Sequence, residues 1–214
     1  MELTQKSLRI LLVDDHAIVR AGLRQLIKDE YHKAIIDEAS SYVHAIKGFK
    51  SGTFDLVVTD VSLGDRSGIE LIKELKMIRQ APVLVLSMHP ESQYALRALK
   101  AGAAGYLTKD TASDEMSIAI RNVLLGKRYV SPKLGTLLAE ALSERDKLDL
   151  YESLSDREFD VLKGISKGKS LLEISNSLSL SVSTISTYRS RILQKMKMKS
   201  NAELIQYAIE KKII

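Results

Sequence analysis

Leu56-Val57-Val58-Thr59-Asp60 is a short apolar run, rich in β-branched residues, that ends in a carboxylate. It is too short for a helix and has no charged residue before its last position. It therefore reads as a strand buried on both faces of a parallel sheet. Three other runs share this design. Leu11-Leu12-Val13 leads into Asp14-Asp15, Val83-Leu84-Val85-Leu86 into Ser87, and Tyr106-Leu107-Thr108 into Lys109. In such sheets ligands bind outside the carboxyl ends of the strands. Three carboxylates, a hydroxyl and an ammonium are therefore expected at one edge of one sheet, the outline of a site for a divalent cation and a phosphoryl group.

Outward from these runs, residues 1–126 alternate strand and helix. Strand 8–13 precedes a helix over 17–28, whose apolar residues recur at helical spacing. A more polar strand over 34–39, suited to a sheet edge, precedes a helix over 42–49 that Gly52 stops. Strand 54–59 precedes helix 68–78, strand 82–86 precedes helix 93–100, and strand 105–108 precedes helix 113–125, ended by Gly126. Five β-α units in succession imply an α/β fold, a doubly wound five-stranded parallel sheet with helices on both faces. The four strands that carry the reactive residues are expected in its interior.

Residues 127–150 differ in character. Ser131-Pro132 can start a helix, apolar residues recur from Leu134 to Leu142, and a charged stretch runs from Ser143 to Asp149. This is either a partly helical linker or a sixth helix packed on the first domain. Residues 151–214 read as an all-α four-helix domain. Ser155–Glu158, Ser170–Glu173 and Ser200–Glu203 have the spacing of capping boxes, and Ser181 caps a further start. Helices are thus expected from near 156, 171, 182 and 201. Only Ser179-Leu180 separates the second from the cap of the third, which makes the pair a helix-turn-helix.

The totals exclude several classes. Of 214 residues, 45% are apolar and 28% charged, as in an ordinary soluble protein. Neither a membrane span nor a secretory segment is evident, so a cytoplasmic location without membrane partners is expected. With no cysteine, disulfides, thiolate metal sites and cysteine nucleophiles are ruled out. The four histidines (His16, His32, His44, His89) lack the spacing of a transition-metal site. Residues 1–126 hold 16 basic and 16 acidic side chains, residues 127–150 hold 5 and 4, and residues 151–214 hold 11 and 7. Most of the net +5 therefore lies in the last third, which suits an acidic partner such as nucleic acid.

Carboxylates as close as Asp14, Asp15 and Asp60 repel unless a cation joins them, and hard oxygen ligands favour Mg²⁺. With a cation bound, one carboxylate can attack a phosphoryl group while Lys109 and Ser87 contact its oxygens. Residues 8–126 resemble the receiver domain of two-component response regulators. By that resemblance Asp60 is the phosphoacceptor, Asp15 binds Mg²⁺ directly, Asp14 binds it mostly through water, and the carbonyl of Ser62 completes the ligands. Tyr106 takes the aromatic switch position coupled to Ser87, though a half-buried strand residue would look the same. Gly64 and Asp110 stand where these receivers usually have proline, and Gly64 is expected to loosen the loop after Asp60. If the peptide bond before Asp110 is cis, it is costlier than one before proline.

Residues 151–214 resemble the LuxR-type DNA-binding domain of the NarL/FixJ class, through Leu154-Ser155-Asp156-Arg157-Glu158, Glu173-Ile174 and Ser183-Thr184-Ile185-Ser186-Thr187-Tyr188. In the third helix Val182, Ile185, Ile192 and Met196 form an apolar anchor, while Ser183, Thr187, Ser190 and Gln194 lie opposite with Ser186 at the margin. The resemblance puts Ser186, Thr187 and Ser190 at base-reading positions in double-stranded DNA. Arg189, Arg191, Lys195, Lys197 and Lys199 are candidates for the phosphates. It makes Leu204, Ile205, Ala208 and Ile209 a dimer contact, although core packing explains part of that stripe.

The combined reading is a transcription regulator that homodimerises on phosphorylation, with a histidine kinase or phosphotransfer protein and RNA polymerase as partners. It is not an enzyme beyond phosphorylating and dephosphorylating its own aspartate. Four expectations compete from this sequence. The others are a receiver acting through protein contacts, a phosphoaspartyl hydrolase, and a DNA-binding protein without phosphorylation control.

Overall fold

The computed structural model describes residues 7–64, 66–143, 150–211 and 213. By its contacts the chain divides into two compact units, Met1–Ser143 and Glu144–Ile214. In the charged stretch expected from Ser143 to Asp149, residues 144–149 lie outside the described residues. Among the described residues no helix is long and apolar enough to cross a membrane.

In the first unit, β1 (Arg9–Val13), β2 (Ile35–Ala39), β3 (Leu56–Asp60), β4 (Val83–Ser87) and β5 (Gly105–Thr108) form one parallel sheet in the order β2-β1-β3-β4-β5. Helices α1 (Ala17–Glu30), α2 (Tyr42–Ser51), α3 (Gly68–Ile78), α4 (Glu91–Lys100) and α5 (Ala112–Leu124) alternate with the strands. α1 and α5 pack on each other over Ile10, Leu12, Leu56 and Val58, and α2 contacts α3, which contacts α4. Every residue of β3 and β4 is buried, as continuous apolar runs require.

β2 is an edge strand, as its polarity suggested. Its Asp37 pairs with Arg9 at 2.7 Å and its Glu38 with Arg20 at 3.2 Å. β5 is the other edge rather than an interior strand. It reads as interior because α4 and α5 cover it and Tyr129 bridges to Gly105 in parallel. α4 starts at Glu91, two residues earlier than its apolar spacing implied, because Pro90 takes the cap position at φ −57°. In the segment 127–150, α6 (Pro132–Ser143) contacts α4 within the first unit.

The second unit opens with a 3₁₀ turn, Leu150–Ser153, followed by α7 (Asp156–Ser166), α8 (Leu171–Leu178), α9 (Val182–Lys195) and α10 (Asn201–Glu210). All four helices start next to the serine that caps them. Ser155 and Ser170 form complete capping boxes. Ser200 caps Glu203, but the glutamate reaches back to the amide of Lys199 at 3.1 Å instead of that of Ser200. The difference lies in the cap's backbone: Ser200 has φ −142°, against −63° and −68° for the other two, so its own N–H points elsewhere. Between α8 and α9, Ser179 adopts a left-handed φ of 54°, and the amide of Leu180 reaches the carbonyl of Ser175 at 3.0 Å. This Schellman turn keeps the two helices within two residues of each other.

Candidate functional site

Parallel register builds the site in the first unit. Val13 lies opposite Thr59 and Asp60 opposite Leu86, while Ser87 lies opposite Thr108. The next residues, Asp14 and Lys109, therefore emerge at the same edge as Asp60 and Ser87. Asp14 and Asp60 are buried, and Lys109 reaches both, with Nζ 2.7 Å from Asp14 Oδ2 and 2.6 Å from Asp60 Oδ2. Asp15 is exposed, and its Oδ1 lies 2.8 Å from His16 Nδ1. One ligand atom from each of Asp14, Asp15, His16 and Asp60 falls within 4.8 Å of the others.

Three carboxylates against one ammonium leave an excess of negative charge. Burial pushes the Asp60 carboxyl above its ordinary value and Asp14 pushes the same way, while Lys109 and the backbone of Ser62 pull against them. Burial alone would lower Lys109, but its hydrogen bonds to Asp14 and Asp60 hold the ammonium above its usual range. The two rise for different reasons: burial lifts Asp60 against the pull of Lys109, whereas two carboxylates hold Lys109 up against its own burial. The deficit of positive charge matches a divalent cation, and the oxygen-rich donor set suits Mg²⁺.

The loop after β3 secures Asp60 from below. Gly68 donates its N–H to the carbonyl of Val61 at 2.7 Å and sits against the carbonyl of Asp60, where a Cβ would fall 1.8 Å from the oxygen. Only glycine permits so close an approach. Ser62–Leu63 and Arg66–Ser67 pair as a two-residue antiparallel ribbon. Gly64 turns within it at φ +61°, which the proline ring cannot adopt. No peptide bond among the described residues is cis, Lys109–Asp110 included.

Ser87 is fully buried, and its Oγ accepts from the amide of His89 at 3.1 Å. Tyr106 is buried too, not half-buried, and its hydroxyl donates to the carbonyl of His89 at 2.9 Å. Burial raises the Tyr106 hydroxyl well above its ordinary value against the opposing hydrogen bond of Ser87. The two switch candidates therefore meet on one turn of the β4–α4 loop.

In the second unit α9 buries Ile185 and Ile192, with Met196 just beyond its end. Val182, expected in the same stripe, is 42% exposed, because the first residue of a helix projects past the elements that cover the next turn. Ser183, Ser186, Thr187, Ser190 and Gln194 are all exposed. Thr187 and Ser190 donate their hydroxyls back to the carbonyls of Ser183 and Ser186, at 3.0 and 3.1 Å.

The five basic candidates divide. Arg189 donates to Asn201 at 2.7 Å, and Lys195, although exposed, pairs with Glu158 at 2.6 Å within the domain. Arg191, Lys197 and Lys199 are exposed, and Lys197 holds a left-handed φ of 56° just after α9. In α10, Leu204 and Ala208 are fully buried in contact with α7, Ile205 is half-buried and Ile209 is 60% exposed. Leu204 and Ala208 are core, so of the expected dimer stripe only Ile205 and Ile209 reach the surface.

Residues 10–121 match the response regulator receiver domain, and residues 152–208 match the luxR family of bacterial regulatory proteins. The chain is a LuxR-type response regulator. Response regulator UvrY of Escherichia coli K12 is 34% identical to it over 204 residues, which cover 94% of each chain. Response regulator GacA of Pseudomonas aeruginosa is 33% identical over 94% of this chain and 95% of its own. A two-component response regulator of the LuxR family from Aurantimonas superposes with a TM-score of 0.61 at 38% identity, covering 65% of this chain and all of that one.

In this regulator two contributors escaped the sequence reading. His16 lacks the spacing of a transition-metal site, yet it stands beside Asp15 because it directly follows the acidic pair. That adjacency was the available signal. Gly68 carried none, since its constraint is a backbone contact with a residue in another element.

Proposed function

We propose that Asp60 accepts a phosphoryl group and that this modification controls how α9 binds DNA. The observation that carries the reading is Lys109 bridging Asp14 and Asp60 at the carboxyl edge of the sheet. An oxygen of the Asp60 carboxylate attacks phosphorus on a phosphohistidine of a kinase or phosphotransfer protein, or on a small phosphodonor. The donor's bond to phosphorus breaks, its electron pair leaves with the donor, and an acyl phosphate remains on Asp60. Asp14, Asp15, Asp60 and the backbone of Ser62 would hold Mg²⁺, which when bound offsets the charge of the phosphoryl oxygens. Lys109 is placed to donate to one of those oxygens and Ser87 to another. Hydrolysis restores the carboxylate, so each chain carries one phosphoryl group at a time.

In the DNA-binding half, α9 enters the major groove with Ser186, Thr187 and Ser190 toward the bases. Thr187 and Ser190 spend their donor hydrogens on the helix, so they offer lone pairs to base amino groups and discriminate modestly. Arg191, Lys197 and Lys199 serve the phosphates, and Ile205 and Ile209 remain for pairing a second copy. The test is incubation with acetyl phosphate and Mg²⁺, read by intact mass. One phosphoryl group per wild-type chain and none on Asp60→Ala is expected. Continued turnover of the phosphodonor by Asp60→Ala would overturn the assignment.

A further inference from the structure

Glu91 opens α4, yet only 6% of it is exposed and the Pro90 before it supplies no side-chain cap. Its Oε1 accepts from Ser131 Oγ at 2.6 Å. Ser131 is equally buried and is the cap of α6. Its Oγ accepts from the amide of Leu134 at 3.0 Å, and its carbonyl accepts from Gly135 at 2.9 Å. Pro132 fills the first helical position, as such starts favour. Among the described residues α6 is the last helix of the first unit.

Glu91 also stands close to the switch candidates. It follows His89 by two residues, and the backbone of His89 is bonded to Ser87 on one side and Tyr106 on the other. The ring of His89 lies 4.9 Å from that of Tyr94, which is buried in the first turns of α4. Burial chiefly raises the hydroxyls of Tyr106 and Tyr129, and the charge of Glu91 adds to both. Tyr129 is itself pinned, through its amide to Ala104 at 2.8 Å and its hydroxyl to Glu115 at 2.8 Å. The entry to α6 is therefore anchored to β5 and α5 by Tyr129 and to α4 by Ser131.

We propose that Glu91 and Ser131 form a latch through which the state of Asp60 sets the capping of α6, and so reaches the DNA-binding unit. The proposal rests on Asp60 being the phosphoacceptor. A carboxylate withdrawn from water is costly without its hydrogen-bond partners. If the start of α4 shifts as Ser87 and Tyr106 respond to a phosphoryl group, Ser131 must follow or leave that carboxylate short of a bond. Either way the cap of α6 changes. Glu91 and Ser131 touch no reacting atom, so they act as positioning residues.

The test uses the full-length chain with beryllium fluoride and Mg²⁺ as the phosphoryl mimic. It reads DNA affinity, hydrogen exchange at the Leu134 amide, and phosphoryl uptake from acetyl phosphate. In the wild type the mimic is expected to raise DNA affinity about tenfold or more and to alter exchange at Leu134. Ser131→Ala and Glu91→Ala should each cut that affinity ratio about threefold or more, with uptake at Asp60 unchanged. The double variant should lose no more than either single one, as a shared contact requires, and Ser131→Thr should behave as wild type.

A pair that merely stabilises the fold would lower the melting temperature without moving the ratio or the mimic-dependent exchange. Unchanged ratios in the single variants, or losses that multiply in the double, overturn the latch. Should a variant fail to fold, exchange at Leu134 in the wild type decides, and no response to the mimic overturns it. Uptake at Asp60 with Leu134 unmoved brings down the latch alone, whereas no uptake in the wild type brings down the reading beneath it.

Discussion

At Asp60 two carboxylates share one ammonium, and a glycine closes on the backbone oxygen. The carboxylate chemistry was legible because each reactive residue ends its own apolar run, and a parallel sheet gathers such ends by rule. The supports were less legible: Ser131-Pro132 reads as a helix start, but the contact of Gly68 with Asp60 and the bond of Ser131 to Glu91 join different elements. Gly68 gives the sharpest residue-level prediction. A methyl at that position overlaps the Asp60 carbonyl, so the start of α3 or the end of β3 must move. Gly68→Ala should destabilise the first unit by about 2 kcal/mol or more, as overpacking does, and slow phosphoryl uptake at Asp60. Urea unfolding and phosphodonor kinetics check the two effects, and wild-type values in both would refute the constraint.

Among the elements, helix starts were readable and helix faces less so. A capping serine and its glutamate are three residues apart, so α7, α8 and α10 announced themselves locally, and Ser181 did the same for α9. Whether Val182 is covered and what Lys195 pairs with depend on what packs beside the helix, which the spacing of one helix does not contain. Lys195 illustrates the point, because its exposed side chain also pairs with the glutamate of a capping box. Burial works against the Glu158 carboxylate, but Lys195 and the donors of Ser155 hold it below its ordinary value of 4.5.

A carboxyl lowered in the folded state contributes stability above its unfolded value, and that contribution disappears as pH falls through the folded value. The helical unit should therefore lose melting temperature below about pH 4.5. Lys195→Met should flatten that acid limb and cost about 1 kcal/mol at neutral pH, a modest figure because Lys195 is partly in water. Calorimetry of the full chain across pH 3–7 checks both, and an unchanged acid limb in the variant would count against the pairing.

Across the whole molecule, an α/β unit whose residues 1–126 are neutral overall precedes a helical unit built around a helix-turn-helix, whose residues 151–214 hold most of the net positive charge. Neither half alone determines the function, because the acidic site would also serve a hydrolase and the basic helices a docking module. Their presence on one chain, in a family of response regulators, supports the proposal that the site controls DNA binding. For that control to matter, the modified and unmodified forms must differ in DNA affinity by more than about 1.4 kcal/mol, a factor of ten. The direct measurement is the affinity of the full-length protein for DNA selected from genomic fragments, at fixed salt, with and without beryllium fluoride and Mg²⁺, for wild type and Asp60→Ala. The account predicts at least a tenfold gain in the wild type and none in the variant. Equal affinity in all four samples would contradict it.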